Sequence, residues 1–394
     1  MIAVGIDKLS FFSPNQYIDL TELAKRRDTD PNKYLIGIGQ SEQAVIPASQ
    51  DVITMAANAA DQLLTEADRS EISMIMFATE SGIDNSKSGA VYLQTLLGIN
   101  RYARTIELKQ ACYAGTYGLM QARDYVALNP GAKVLVVASD IARYGLATAG
   151  EVTQGGGAVA MLVTENPKVM TLERDSQFMS QDLMDFWRPV YATDALVDGH
   201  FSQDVYREFF KELWQRYREQ TGRTIADFQA FAFHLPYTKQ GLKALKDILP
   251  EANAEHAEHL LAEFEASRVF NKRIGNLYTG SLYLSLLSLL VNSATLKAGY
   301  RIGLFSYGSG AEGEFYSGLV QAEFKKGLIN EQVERLLSER RKMTIEQYEK
   351  NYGQALNGPL DREIDFKDDP AKFVLAGLVN QQRQYINQQN HGAE

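Results

Sequence analysis

The chain has 394 residues, 45% of them hydrophobic and 10% aromatic, which excludes a disordered protein and allows a large core in two domains or two fused halves. A formal net charge of −9 argues against nucleic acid as a partner, since phosphate binding needs a basic face, and leaves room only for a local basic site that takes one small anionic ligand. The single cysteine excludes an internal disulfide framework, and the longest apolar stretch, about residues 282–291, is too short to span a bilayer.

In chain order, residues 1–12 read as a strand rather than a signal peptide, for want of a basic flank and a small-residue cleavage site; a reducing cytoplasm is the expected location. Residues 72–78 form a buried strand that runs into the turn Thr79-Glu80-Ser81-Gly82. A second buried strand, 105–108, leads to Cys112, after which 119–128 has helical character. Cys112 therefore sits where a strand becomes a helix. Residues 133–139 and 158–163 are further strands, the latter entered through Gly155 to Gly157, which read as a tight turn where backbone approaches a ligand. An amphipathic helix covers about 205–220.

The later half repeats the plan: a strand at 228–234, a helix carrying lysines and a long apolar helix at about 279–298. Strand 301–307 follows, ending at Gly308-Ser309-Gly310, then a strand around 314–319 and a charged helix at 330–351. Alternation of short strands with amphipathic helices predicts an α/β fold. Both halves send a buried strand into a glycine-bearing turn and back, so the chain divides into 1–167, with Glu80 and Cys112, and 168–394, with His234 and Asn276.

A strand-to-helix elbow displays a nucleophile well, because helix amides stabilise a thiolate and can donate to an oxyanion. Burial as a small hydrophobe is the equally weighted alternative for Cys112. Of five histidines, His234 closes a buried strand, where active sites of open α/β sheets gather. On its own it reads as a satisfied core histidine slightly more readily. His256 and His259 lie on the polar side of a helix, where a solvated face outweighs a metal site. Glu80 is held at the end of a sheet, where partial desolvation would raise its pKa and make it a general base; an ordinary turn glutamate is the alternative. Asn276 precedes a helix and suits a cap. Lys239, Lys243 and Lys246 share a helical face, which is a phosphate site or, more commonly, a solvated stripe.

Seven motifs in order resemble those of the hydroxymethylglutaryl-CoA synthases of the thiolase superfamily. They are Thr79-Glu80-Ser81; Ala111-Cys112-Tyr113 with Gly115-Thr116; Asp140-Ile141-Ala142 with Tyr144; Val197-Asp198-Gly199; His234-Leu235-Pro236-Tyr237; the run from Gly275 to Ser281; and the run from Phe305 to Gly310. The resemblance implies a thiolase-like, five-layered αβαβα fold of two pseudo-related halves, usually a homodimer. It implies that acetyl-CoA acylates Cys112, that Glu80 removes a methyl proton, and that the carbon nucleophile attacks acetoacetyl-CoA. His234 would assist at the ketone, and water would then free HMG-CoA. The resemblance calls for no metal or redox cofactor. Lys239 and Lys243 would meet CoA phosphates, and Tyr144, Thr153, Ser202, Asn276 and Ser309 would line the acyl or pantetheine channel. Two departures mark a bacterial-type branch: Ala114 stands where the animal enzymes have glycine, and the segment Gly145 to Val152 differs from theirs.

A ketoacyl synthase using Cys, His and Asn is the nearest rival, but it leaves Glu80 without a role. A papain-like hydrolase shares the order Cys, His, Asn without that family's residues around its nucleophile. A non-catalytic acyl-CoA-binding module needs none of Glu80, Cys112 and His234.

Overall fold

The computed structural model describes residues 2–328, 330–356 and 358–391. Its main sheet has the strand order Ala230–Phe233, Arg301–Gly308, Glu312–Val320, Met170–Leu172, Val4–Phe12, Gly155–Glu165, Lys133–Ala142, Ile72–Ala78, Arg104–Leu108, with Gln177–Ser180 also paired to Glu312–Val320. In the first half Val4–Phe12 runs antiparallel to Gly155–Glu165, which runs antiparallel to Lys133–Ala142, which is parallel to Ile72–Ala78. Met170–Leu172, Glu312–Val320, Arg301–Gly308 and Ala230–Phe233 repeat that order and those directions. Duplication is thus visible in topology where little residue identity betrays it.

Alternation along the strands builds the layers, because successive side chains point to opposite faces. Val134 and Val136 enter a central core with Leu119 and Val126 of helix Ala114–Leu128 and the leucines of helix Ser281–Asn292. Leu135 and Val137 point the other way, into a core shared with helix Val52–Asp61. In the second half Ala230, Ala232, Ile302 and Leu304 face the central core. Phe231, Phe233, Phe305 and Tyr307 face a third, beneath helices Gly199–Thr221 and Gln240–Ile248. Helix, sheet, paired central helices, sheet and helix make the five layers. Each fully buried aromatic or leucine in these cores contributes roughly 1.5–3 kcal/mol of transfer free energy.

Three expectations need correction. The apolar helix spans Ser281–Asn292 only, since Thr279 belongs to a preceding 3-10 turn and Ser293 is extended. The stretch expected as one helix at 330–351 is two, Asn330–Ser338 and Ile345–Tyr352, separated by Arg341–Lys342, which pairs with Gln16 and Tyr17. Just before the break, buried Arg340 donates to the Arg273 carbonyl and pairs with Glu42, and Thr344 restarts the helix through a capping box. Gly155, Gly156 and Gly157 are strand residues, and the close approach they permit is by the chain itself: a Cβ on Gly155 would lie 2.5 Å from the Ile274 carbonyl oxygen. Among the described residues, no helix is long and apolar enough to cross a membrane.

Candidate active site

Cys112 occupies the expected elbow. Strand Arg104–Leu108 ends four residues before it, Gln110 and Cys112 form an isolated bridge, and Tyr113 is the N-cap residue of helix Ala114–Leu128. Ala111 turns the corner at φ 42°, left-handed backbone that strains a residue with a Cβ. The second half clamps this corner: a Cβ on Gly308 would lie 2.6 Å from the Tyr113 amide nitrogen and 2.7 Å from the Gln110 carbonyl oxygen. Behind it, the Tyr113 hydroxyl donates to buried Glu314 at 2.7 Å. The Ala114 methyl packs against Ala78 and Ala138.

Glu80 follows strand Ile72–Ala78 and faces the nucleophile, its Oε1 accepting from Cys112 Sγ at 3.2 Å. Burial and the nearby Asp140 push the Glu80 carboxyl up to about 8, against the opposing effects of Arg188 and the Cys112 hydrogen bond. Burial, with the Glu80 charge adding to it, pushes the Cys112 thiol up as well. The resting pair is therefore a thiol hydrogen-bonded to a carboxyl group, rather than the thiolate expected from the helix end.

Asp140, at the buried end of strand Lys133–Ala142, holds Glu80 in place. Its Oδ1 accepts from the Glu80 amide at 2.9 Å, Thr79 Oγ1 at 2.9 Å and Ser81 Oγ at 2.8 Å. Its Oδ2 accepts from the Thr279 amide at 3.1 Å and from Thr279 Oγ1 at 2.5 Å. Burial pushes Asp140 up, while these donors favour its ionised form. One carboxylate thus ties the turn that carries Glu80 to the loop preceding the second central helix.

His234 lies just past strand Ala230–Phe233, its amide donating to the Phe305 carbonyl at 2.8 Å and its carbonyl accepting from the Tyr206 hydroxyl at 2.8 Å. Only 2% exposed and with Nδ1 unpartnered, the imidazole is pushed down to about 3 by burial, so it stays neutral near pH 7. Phe305 is on the strand that ends at Gly308, against the Cys112 elbow.

The other expected residues fall into three groups. Asn276 Nδ2 donates to the Tyr144 hydroxyl at 3.1 Å, its amide donates to the Thr153 carbonyl at 3.0 Å, and its Oδ1 accepts from the Tyr278 amide at 2.8 Å. It is not the cap residue expected, since Leu277 and Gly280 hold the N-cap positions of the 3-10 turn and of the following helix, but it presents an amide to Tyr144, whose hydroxyl is pushed up by burial and the Cys112 charge. Ser202 donates to Asp185 at 3.0 Å and Tyr307 donates to the same carboxylate at 2.8 Å, while Ser309 lies just past the end of strand Arg301–Gly308. Lys239 precedes helix Gln240–Ile248 and exposed Lys243 lies within it, its Nζ bonded to Gln203 at 2.5 Å. Burial lowers the Lys243 pKa.

Sequence reasoning gave no role to Asp140, Asp185, Phe186 or Arg188. Asp140 stood inside a quoted motif. Asp185, fully buried, gathers Ser202, Tyr307 and the Gly310 amide. Phe186 packs edge-on against Tyr144 and Tyr278, and Arg188 donates to the Glu80 carbonyl. A cavity of about 860 Å³ lies beside Glu80, lined also by Ala111, Arg143, Gln154, Arg188 and Tyr352.

Comparison with known proteins gives the same reading. The N-terminal family model of hydroxymethylglutaryl-coenzyme A synthase matches residues 2–168, and the C-terminal model matches residues 247–368. The chain is 47% identical over 386 residues to hydroxymethylglutaryl-CoA synthase of Enterococcus faecalis, covering 98% of this chain and all of that one. It is 32% identical to the polyketide biosynthesis 3-hydroxy-3-methylglutaryl-ACP synthase PksG of Bacillus subtilis, covering 94% and 93% of the two chains. A crystal structure of HMG-CoA synthase complexed with CoA superposes with a TM-score of 0.95 at 40% identity, covering 98% of this chain and 100% of that one. The structure of MvaS in complex with 3-hydroxy-3-methylglutaryl coenzyme A gives 0.89 at 37%, covering 98% and 99%. With both family models and a full-length relative in agreement, the chain belongs to the hydroxymethylglutaryl-CoA synthase family.

Proposed function

We propose that this enzyme condenses acetyl-CoA with acetoacetyl-CoA to HMG-CoA in the mevalonate pathway, through an acetyl group carried on Cys112. The observation that carries this is the 3.2 Å contact between Cys112 Sγ and Glu80 Oε1. The Glu80 carboxylate takes the thiol proton, sulfur attacks the acetyl-CoA carbonyl, and the proton passes to the departing CoA thiolate. The same carboxylate then removes a proton from the acetyl methyl group. The resulting carbon nucleophile attacks the acetoacetyl-CoA ketone, whose oxygen accepts a hydrogen bond from neutral His234, and the proton held on Glu80 passes to the new alkoxide, which restores the carboxylate. A carboxyl pushed up to about 8 is a stronger base than an ordinary glutamate and is matched to each transfer near neutral pH. Water then frees HMG-CoA from Cys112; proton transfers, acyl transfer on and off sulfur and one carbon–carbon addition make up the sequence, and none of them calls for a metal or redox cofactor.

CoA thioesters, rather than the carrier-protein thioesters of the PksG type, are favoured as substrates by Lys239 and Lys243 beside the His234 strand end. Arg104–Leu108, an edge strand with Ile106 49% exposed, supports assembly as a homodimer. A free thiol nucleophile suits the cytoplasm. Labelled acetyl-CoA alone should acylate one residue, Cys112, and acetoacetyl-CoA should then discharge it as HMG-CoA. Peptide mapping that finds label elsewhere, or none, refutes the mechanism.

A further inference from the structure

The last step of the proposed reaction needs water at the Cys112 thioester while the second CoA thioester, now part of the product, still fills its channel. Water that shared the CoA channel would have to pass the pantetheine arm. The structure offers another side from which to approach. Of the residues assigned above to catalysis or CoA binding, Glu80 alone lines the 860 Å³ cavity, and His234, Lys239, Lys243, Asn276 and Ser309 do not. Ala111, the residue before the nucleophile, is also in its wall. Glu80 therefore has Cys112 at 3.2 Å and also forms part of the wall of this cavity.

We infer that the cavity is the route by which hydrolytic water reaches acyl-Cys112, separate from the CoA channel. Polar residues beside Glu80 contribute to its wall, Thr79, Ser81 and Arg188 among them. Arg188, which donates to the Glu80 carbonyl, belongs to the same wall. In the step itself the water oxygen bonds to the thioester carbonyl carbon and one water proton goes to the Glu80 carboxylate. The carbon–sulfur bond breaks with its electron pair on Sγ, and the proton returns to sulfur. The product leaves as a carboxylic acid that ionises in solvent, and no oxidant or reductant is involved.

The inference rests on the acetyl-Cys112 reading, and the test separates the two. Native acetyl-enzyme is prepared with labelled acetyl-CoA, freed of CoA, and its hydrolysis is followed with and without saturating desulfo-coenzyme A, which fills a CoA channel but carries no thiol. Hydrolysis should proceed within about twofold of the same rate in both. A halt on adding desulfo-coenzyme A means that water enters through the CoA channel, which overturns the inference. Absence of any acetyl-Cys112 in the native protein instead refutes the parent reading. A second measurement narrows the cavity at two half-buried wall alanines, using Ala192→Trp and Ala355→Trp. With both substrates present, discharge of Cys112 should slow about tenfold, with the condensed acyl-enzyme accumulating, while acetylation keeps its native rate. Folded double variants that discharge at the native rate also overturn it.

Discussion

Glu80→Gln should make the enzyme more stable while disabling it. The native carboxyl titrates at about 8 in the fold against an ordinary 4.5, because burial and Asp140 both oppose its ionisation. A carboxyl group whose pKa is raised by folding contributes stability that is fully present below about 4.5 and lost as pH rises toward 8, since the unfolded chain releases the proton first. At 1.36 kcal/mol per pH unit, the loss between pH 5 and pH 8 comes to roughly 3 kcal/mol. Glutamine keeps the shape and can still accept from the Cys112 thiol, but it has no proton to lose. Guanidinium unfolding of both proteins at pH 5 and pH 8, at one protein concentration, should show the variant gaining on the native enzyme by about that amount at the higher pH. Over the same range, the native rate of carbon–carbon bond formation in a single turnover should climb with pH and level off above about 8, and the variant should run roughly two to four orders of magnitude slower. Parallel unfolding differences at the two pH values would refute the assignment of a raised carboxyl at the site. A variant that condensed at the native rate would refute the role of Glu80 as base.

Replacing Lys239 and Lys243 together with alanine should raise KM for acetyl-CoA while leaving acylation of Cys112 by a short pantetheine thioester nearly unchanged; equal losses with both donors would make the lysines structural. Gly308→Ala puts a methyl 2.6 Å from the Tyr113 amide nitrogen, so it should cost about 1–3 kcal/mol in urea unfolding and slow acetylation of Cys112, whereas an unaffected acetylation rate would mean the elbow needs no clamp. Ala111→Gly relieves the φ of 42° and should raise stability by about 0.4–1 kcal/mol in the same assay; a destabilised variant would show that the corner is not strained.

Much of this architecture was legible because it is written in short range. Apolar runs such as 72–78 and 133–139 declare buried strands, and an abrupt change to helical periodicity after Cys112 declares the elbow. Glu80 was readable as a candidate base from its place at a strand end, although its raised pKa also depends on the Asp140 charge supplied from another strand. What stayed hidden depends on partners remote in sequence. Asp140 draws its meaning from Thr279, 139 residues later, and no local pattern signals that pairing. The break before Arg341 is likewise a tertiary effect, since the helical pattern of 330–351 continues through a residue that the fold uses to reach Glu42 and Arg273. The glycines at 155–157 carried the right message, close approach, but the approaching groups are the chain's own: the backbone of the Ile274 region at Gly155, the Ile46 side chain at Gly156 and the Phe12 carbonyl at Gly157.

The repeated strand order has a consequence for how the chemistry is divided. Ile72–Ala78 and Ala230–Phe233 hold the same place in the two halves, and so do the central helices Ala114–Leu128 and Ser281–Asn292. Glu80 and His234 are therefore twins in position, each just beyond the same strand of its own half, and Cys112 and Asn276 each precede the equivalent helix. A true twofold assembly of one half would set like against like: two acids facing, or two imidazoles. By carrying both copies on one chain, the enzyme breaks that symmetry where the substrate lies and keeps it in the scaffold. In the proposed mechanism one locus yields a proton acceptor and its counterpart a neutral donor, one helix start a nucleophile and the other an amide.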